Sequence, residues 1–133
     1  MDNFKVVLLG IIFDPKTKKI LVGRRENTPN ISELTWGFPG GRLSHGAGLD
    51  KTLKKHIKEK TGYDIKNLGG IFSKRYPEKK DFVSIYFLCQ VFEGEEKAGG
   101  DFVELKWVGP EELEEYFTTS FHPRLKKYLI ELV

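Results

Sequence analysis

The stretch from Trp36 to Tyr63, WGFPGGRLSHGAGLDKTLKKHIKEKTGY, constrains the fold more than any other part of the chain. It reads as a strand end, a Pro-Gly-Gly turn, a loop, and a helix that stops at a glycine. Pro39, Gly40 and Gly41 allow a sharp turn and leave room for a ligand to approach the main chain. The helix is expected from Leu49 to about Thr61, with Gly62 as the residue that ends it. At the helical repeat of about 3.6 residues, Leu49, Leu53 and Ile57 form one apolar stripe. His56 and Lys60 fall on the same inner face, with Glu59 and Thr52 on its flank. Lys51, Lys54 and Lys58 turn to water, and Lys55 lies at the edge. Charged and polar groups are costly to bury unless they are paired or reach a wet cleft. The stretch therefore predicts a strand–loop–helix site opening into a cleft.

The rest of the chain supplies a sheet for that site. Phe4 to Phe13 is a continuous apolar and β-branched run, expected as a strand buried on both faces. Asp14 to Lys19 is a turn, and Ile20 to Arg25 is the returning hairpin strand. Glu26 to Thr35 is a polar loop, and Trp36 to Phe38 a short strand. Ile65 to Tyr76 reads as a strand with a bulge at Gly69-Gly70. Pro77 to Asp81 is a turn, and Phe82 to Phe92 reads as the longest and central strand. A charged loop from Glu93 to Asp101 leads into the strand Phe102–Val108. Pro110 opens a short helix, Glu111 to Phe117. After a loop from Thr118 to Pro123, Arg124 to Leu132 closes the chain as a helix with Leu125, Leu129 and Leu132 on one side. These elements predict an α+β single domain, residues 1–133, with a mixed central sheet and helices on its faces.

Length and charge narrow the function classes. A chain of 133 residues builds one domain with a real core. The net charge of +3 suits an anionic small molecule and is too weak, without a patch, to imply a nucleic acid. The lysines at 51, 54, 55 and 58 have no aromatic residues interleaved and read as a solvated helix face. Cys89 is the sole cysteine, so no disulfide can form within the chain, and it is expected to be a buried packing residue. Residues 1–13 lack the pattern of a signal peptide, and no apolar run is long enough to cross a membrane, so a cytoplasmic location is the default expectation.

The spacing of the opening stretch resembles the box of the Nudix hydrolase family. That box begins on a glycine and continues with a glutamate, an Arg-Glu pair, a bulky aliphatic, a Glu-Glu pair, and a closing glycine and aliphatic. Laid without a gap over Gly41 to Tyr63, it matches Gly41, Ile57, Glu59 and Gly62, with Lys55 standing for the arginine and Tyr63 for the last aliphatic. Trp36, Pro39 and Gly40 look like the family's lead-in, and the order of the later elements, with the late Trp107, fits as well. The resemblance implies a Nudix-like α/β/α sandwich and a nucleotide-derived substrate. It also implies Mg2+ or Mn2+ as cofactor, with Gly40 and Glu59 as the residues left to hold it and Lys55 and Lys60 near the phosphates. Three box glutamates are replaced, by Ala47, His56 and Lys60. Hard divalent ions need oxygen ligands, and an ammonium beside one carboxylate repels them.

One branch of the family, the GDP-mannose mannosyl hydrolases, also departs from the standard box. Gly23-Arg24-Arg25 resembles its Gly-Lys-Arg, Gly40-Gly41-Arg42 its Gly-Gly-Arg, and Phe121-His122-Pro123-Arg124 its His-centred C-terminal segment. This second resemblance implies catalysis by His122 as general base with Glu59, and neutralisation of a departing diphosphate by Arg25 and Arg42. Two functional classes stay open on these residues. One is a hydrolase of a nucleoside diphosphate linked to another moiety, such as a nucleotide sugar, acting as a monomer or homodimer. The other is a catalytically impaired module of the same fold that binds a nucleotide or serves in regulation.

Overall fold

The computed structural model of the chain describes residues 4–25, 36–75, 81–117 and 123–132. The expected loop Glu26–Thr35, most of the turn after Tyr76, and the Thr118–His122 segment lie outside the described residues.

Strand β1 (Lys5–Asp14) is the hub of a seven-stranded mixed sheet. One of its edges runs parallel to β6 (Phe82–Gly94), from Lys5 opposite Phe82 to Ile12 opposite Cys89. Its other edge is shared. Val7–Leu9 pair antiparallel with β4 (Gly40–Arg42), and Phe13–Asp14 pair with the start of β2 (Lys19–Arg25). β2 carries β7 (Phe102–Val108) and, at Gly23–Arg24, the two-residue β3 (Trp36–Gly37). β5 (Tyr63–Arg75) closes the far side against β6. The Gly69-Gly70 irregularity is present: the β5–β6 register shifts on both sides of this pair. β6, expected as the longest and central strand, lies inside the sheet between β1 and the edge strand β5, while β1 holds the centre; β5 is as long as β6, since β5 starts at Tyr63 instead of Ile65 and β6 runs on to Gly94.

Both faces of β1 are covered, which is why its sequence is continuously apolar. Leu8 and Ile12 face helix α1 (Leu49–Thr61) in a core with Leu21, Leu53, Ile57, Ile65 and Phe87. Leu9 and Ile11 face the other way, into a core with Ile20, Val22, Phe38, Tyr86 and the C-terminal elements. Those elements are a 3-10 turn at Pro110–Glu112, α2 (Leu113–Tyr116) and α3 (Pro123–Glu131), which bury Leu113, Leu125 and Leu129. The result is the α/β/α sandwich that the family resemblance implies. No helix among the described residues is long and apolar enough to cross a membrane.

Helix α1 has the bounds that its sequence implies and ends on Gly62 in the left-handed conformation, φ 82°. Its buried stripe is shifted by one turn, however. Leu53, Ile57 and Thr61 are buried, whereas Leu49 at the first turn is 45% exposed. Thr61 can end an apolar stripe because its hydroxyl donates to the Ile57 carbonyl at 2.7 Å, leaving its methyl to pack. The helix lies close on the sheet because β1 has Gly10 beneath it; a Cβ there would stand 2.6 Å from Ile57 Cδ1. Cys89 belongs to the same core, and burial pushes its thiol up to about 12, so it stays protonated and inert at neutral pH. Both tryptophans have packing partners: Trp36 meets Tyr116 edge-on at 5.2 Å, and Trp107 donates to Glu96 at 2.7 Å.

Candidate functional site

The turn between β3 and β4 is drawn tightly onto the sheet. Gly10 N–H donates to the Pro39 carbonyl at 2.8 Å. A Cβ on Gly40 would stand 1.9 Å from the Leu8 carbonyl oxygen, and one on Gly41 would meet the His56 ring at 2.6 Å. Glycine is therefore the residue that fits at both places, one against backbone and one against an imidazole. His56 Nε2 donates to the Arg42 carbonyl at 3.2 Å. The imidazole thus clamps the turn to α1, in the place where the Nudix box has a carboxylate.

Lys60, one turn further along α1, reaches the same turn. Its ammonium donates to the Gly40 carbonyl at 2.5 Å and pairs with Asp101 at 3.2 Å. It also stands 5.6 Å from the centre of the Phe102 ring, within cation–π range. Only 17% of the Lys60 side chain is exposed. Asp101 is the acidic partner of this lysine; Glu104 is held instead by Arg24 across the β2–β7 pair at 2.9 Å.

Asp101 is brought there by the loop between β6 and β7. Lys97 N–H donates to the Thr61 carbonyl at 2.8 Å, and Gly99 N–H to the Lys60 carbonyl at 3.1 Å. These are last-turn carbonyls of α1, which have no partners within the helix. A Cβ on Gly99 would stand 2.3 Å from the Glu59 carbonyl oxygen, so a glycine is needed for this close approach. Gly99 and Gly100 immediately before an aspartate were the available sequence signal for this contact.

Arg25 approaches from β2. Its guanidinium lies 5.8 Å from the centre of the same Phe102 ring, over Gly37, where a Cβ would stand 2.2 Å from Nη2. Phe102 is itself buried and occupies the space that Gly23 leaves on the neighbouring strand. Lys60, Arg25 and the Gly40 carbonyl are thus gathered around one aromatic ring. Arg42 is not part of this group: it is exposed at the end of β4 and stands 5.9 Å from the Phe82 ring. Glu59 and Lys55 are exposed on α1, and neither makes an ion pair among the described residues. His122 lies outside the described residues.

The residues fit a divalent ion poorly. The Gly40 carbonyl, which the resemblance assigns to the ion, is engaged by Lys60. Among the described residues no group of three or more His, Cys, Asp or Glu side chains could hold a metal. Glu59 is the one glutamate kept at a box position, and an ammonium is its helix neighbour.

A family model, NUDIX domain, matches residues 3–131, and the chain belongs to the Nudix family. Solved structures of similar fold include a NUDIX hydrolase from Nitrosomonas europaea, with TM-score 0.78, 19% identity, and coverage of 98% of this chain and 73% of that one. A MutT NUDIX hydrolase from Burkholderia pseudomallei has TM-score 0.72 and 17% identity over 99% of both chains. An ADP-ribose pyrophosphatase from Streptococcus suis has TM-score 0.66 and 20% identity over 96% of this chain and 87% of that one. Comparison with curated proteins gives no match.

Proposed function

We propose that this chain binds a nucleoside diphosphate linked to another moiety, of the nucleotide-sugar class, and hydrolyses it. The observation that carries the reading is the pair of cations, Arg25 and Lys60, held on the Phe102 ring beside the glycine turn of a Nudix fold. Half-buried cations interact with a diphosphate more strongly than cations in bulk water, because the surroundings are less polarisable. A planar guanidinium suits two phosphate oxygens at once, and an ammonium suits one. The diphosphate is placed on Arg25 and Lys60, and not on Arg42 or Lys55, which stand outside this group. That a structurally similar protein is an ADP-ribose pyrophosphatase is consistent with this substrate class.

Glu59 and His122 are the proposed acid–base groups. Glu59 is exposed, one residue before Lys60 on α1, where a carboxylate can accept a proton from water. The role of His122 follows from its likeness to the C-terminal segment of the mannosyl hydrolases. In that chemistry water attacks the sugar carbon, its proton passes to the base, and the diphosphate leaves with the bond's electron pair. A panel of nucleotide sugars and ADP-ribose, read by chromatography of the products, tests the reading. His122→Ala and Glu59→Gln are each expected to lower kcat by about 10²–10⁴-fold. Unchanged turnover in both would overturn these assignments.

The position of Lys60 favours one second reading. With the Gly40 carbonyl engaged and a single carboxylate nearby, the fold could serve as a nucleotide-binding or regulatory module. Nucleotide binding with no product from any member of the panel would select that reading.

A further inference from the structure

We infer that Lys60 is a tethered cation occupying the place of a divalent ion, so that this chain engages a diphosphate without Mg2+ or Mn2+. The inference rests on the proposed nucleotide site and specifies how that site is charged. Three features of the Lys60 surroundings lead to it. First, the ammonium is bound to the Gly40 carbonyl, the backbone oxygen that the family resemblance assigns to the ion. A hard cation and an ammonium compete for such an oxygen and repel one another.

Second, the surroundings are shaped for the lysine. Asp101 holds it at 3.2 Å, Phe102 lies beneath it at 5.6 Å, and a Cβ on Gly100 would press on Lys60 Cγ at 3.2 Å. The β6–β7 loop that supplies these groups is itself fastened to α1 through Lys97 and Gly99. The lysine is therefore a fixed part of the site rather than a surface charge that swings in from solvent.

Third, the ammonium has one donor more than its two partners take. An ammonium has three N–H donors. Gly40 and Asp101 account for two. Asp101 is 47% exposed, so water screens its charge, while the lysine it orients is largely covered. The third donor remains for a phosphate oxygen. His56, in another box-glutamate position, donates from Nε2 to a carbonyl and brings no oxygen ligand of the kind a hard divalent ion prefers.

Electron paramagnetic resonance of added Mn2+, with and without GDP, tests the inference. The wild-type protein is expected to leave the Mn2+ signal as it is in the same solution without protein, at concentrations where Lys60→Glu, which sets a carboxylate beside Asp101, binds the ion saturably. Lys60→Gln keeps a donor for Gly40 and serves should the glutamate variant not fold. It should weaken GDP binding about tenfold in EDTA, with no recovery on adding Mn2+. Saturable Mn2+ binding by the wild type would overturn the inference, as would unaltered GDP affinity in Lys60→Gln. If the wild type binds no nucleotide under any condition, the proposed function fails on its own terms. The exclusion of Mn2+ by Lys60, relieved in Lys60→Glu, would still be read out separately.

Discussion

Ile57→Ala is expected to destabilise the chain by about 2–5 kcal/mol, the usual cost of cutting a fully buried aliphatic side chain back to its Cβ. Ile57 is 0% exposed, and its Cδ1 fills the space over Gly10 on the central strand. No backbone shift closes that gap readily, because α1 is held beside Ile57 by His56 on the glycine turn and at its C-terminal end by the β6–β7 loop. Leu49→Ala is the matched control. Leu49 lies on the same helix and was expected on the same stripe, but it is 45% exposed, so its loss should cost under about 1 kcal/mol. Urea unfolding of both variants measures the difference. Equal losses would mean that α1 does not sit on the sheet through Ile57.

Arg25→Ala is expected to weaken GDP binding by about 10- to 100-fold, the range for removing charge-assisted bonds to a phosphate. Arg24→Ala, one residue earlier, is the comparison. Arg24 faces Glu104 across the β2–β7 pair in a partly exposed ion pair at 2.9 Å, away from the Phe102 group. Exposed pairs of that kind contribute about 0–1 kcal/mol, and this one is not assigned to the ligand. Its variant should bind GDP within about threefold of the wild type. Calorimetric titration of GDP into both variants gives the answer. If Arg24→Ala is the weaker binder, the diphosphate lies on the other side of β2 and the site is misplaced.

The parts of this molecule that were legible in the sequence are the ones with local causes. Gly62 ends α1 because its left-handed backbone favours glycine, and the helix bounds follow from that residue and from the repeat of Leu53 and Ile57. The apolar run of β1 announced a strand covered on both faces, and the β5 bulge could be read from paired glycines. Leu49 misled because periodicity marks a face of a helix but not where the sheet beneath it stops; the first turn of α1 overhangs the core. The full length of β5 was hidden because Tyr63 and Asp64 pair with Glu93 and Gly94, at a charged end of β6 that reads as loop.

The site divides in the same way. The glycine turn and the inward placement of His56 and Lys60 follow from spacing along a single segment. What Lys60 touches does not, because Asp101 arrives from a loop some forty positions later in the chain. Glu104, three positions further on, is turned to another cation by the strand register, which faces it with Arg24. Arg42 looked equivalent to Arg25 as a cation beside glycines. The β1–β4 pairing sets it opposite Val7, and its guanidinium lies over Phe82, apart from the other cations.

The most direct test of the account is a calorimetric titration of GDP into the wild-type protein, performed first in EDTA and then with excess Mg2+. The account predicts saturable binding at one site with the same affinity in both buffers, because Lys60 supplies the cation. Binding that appears only with Mg2+ would contradict it, and would return the site to the ordinary metal-dependent pattern of the family.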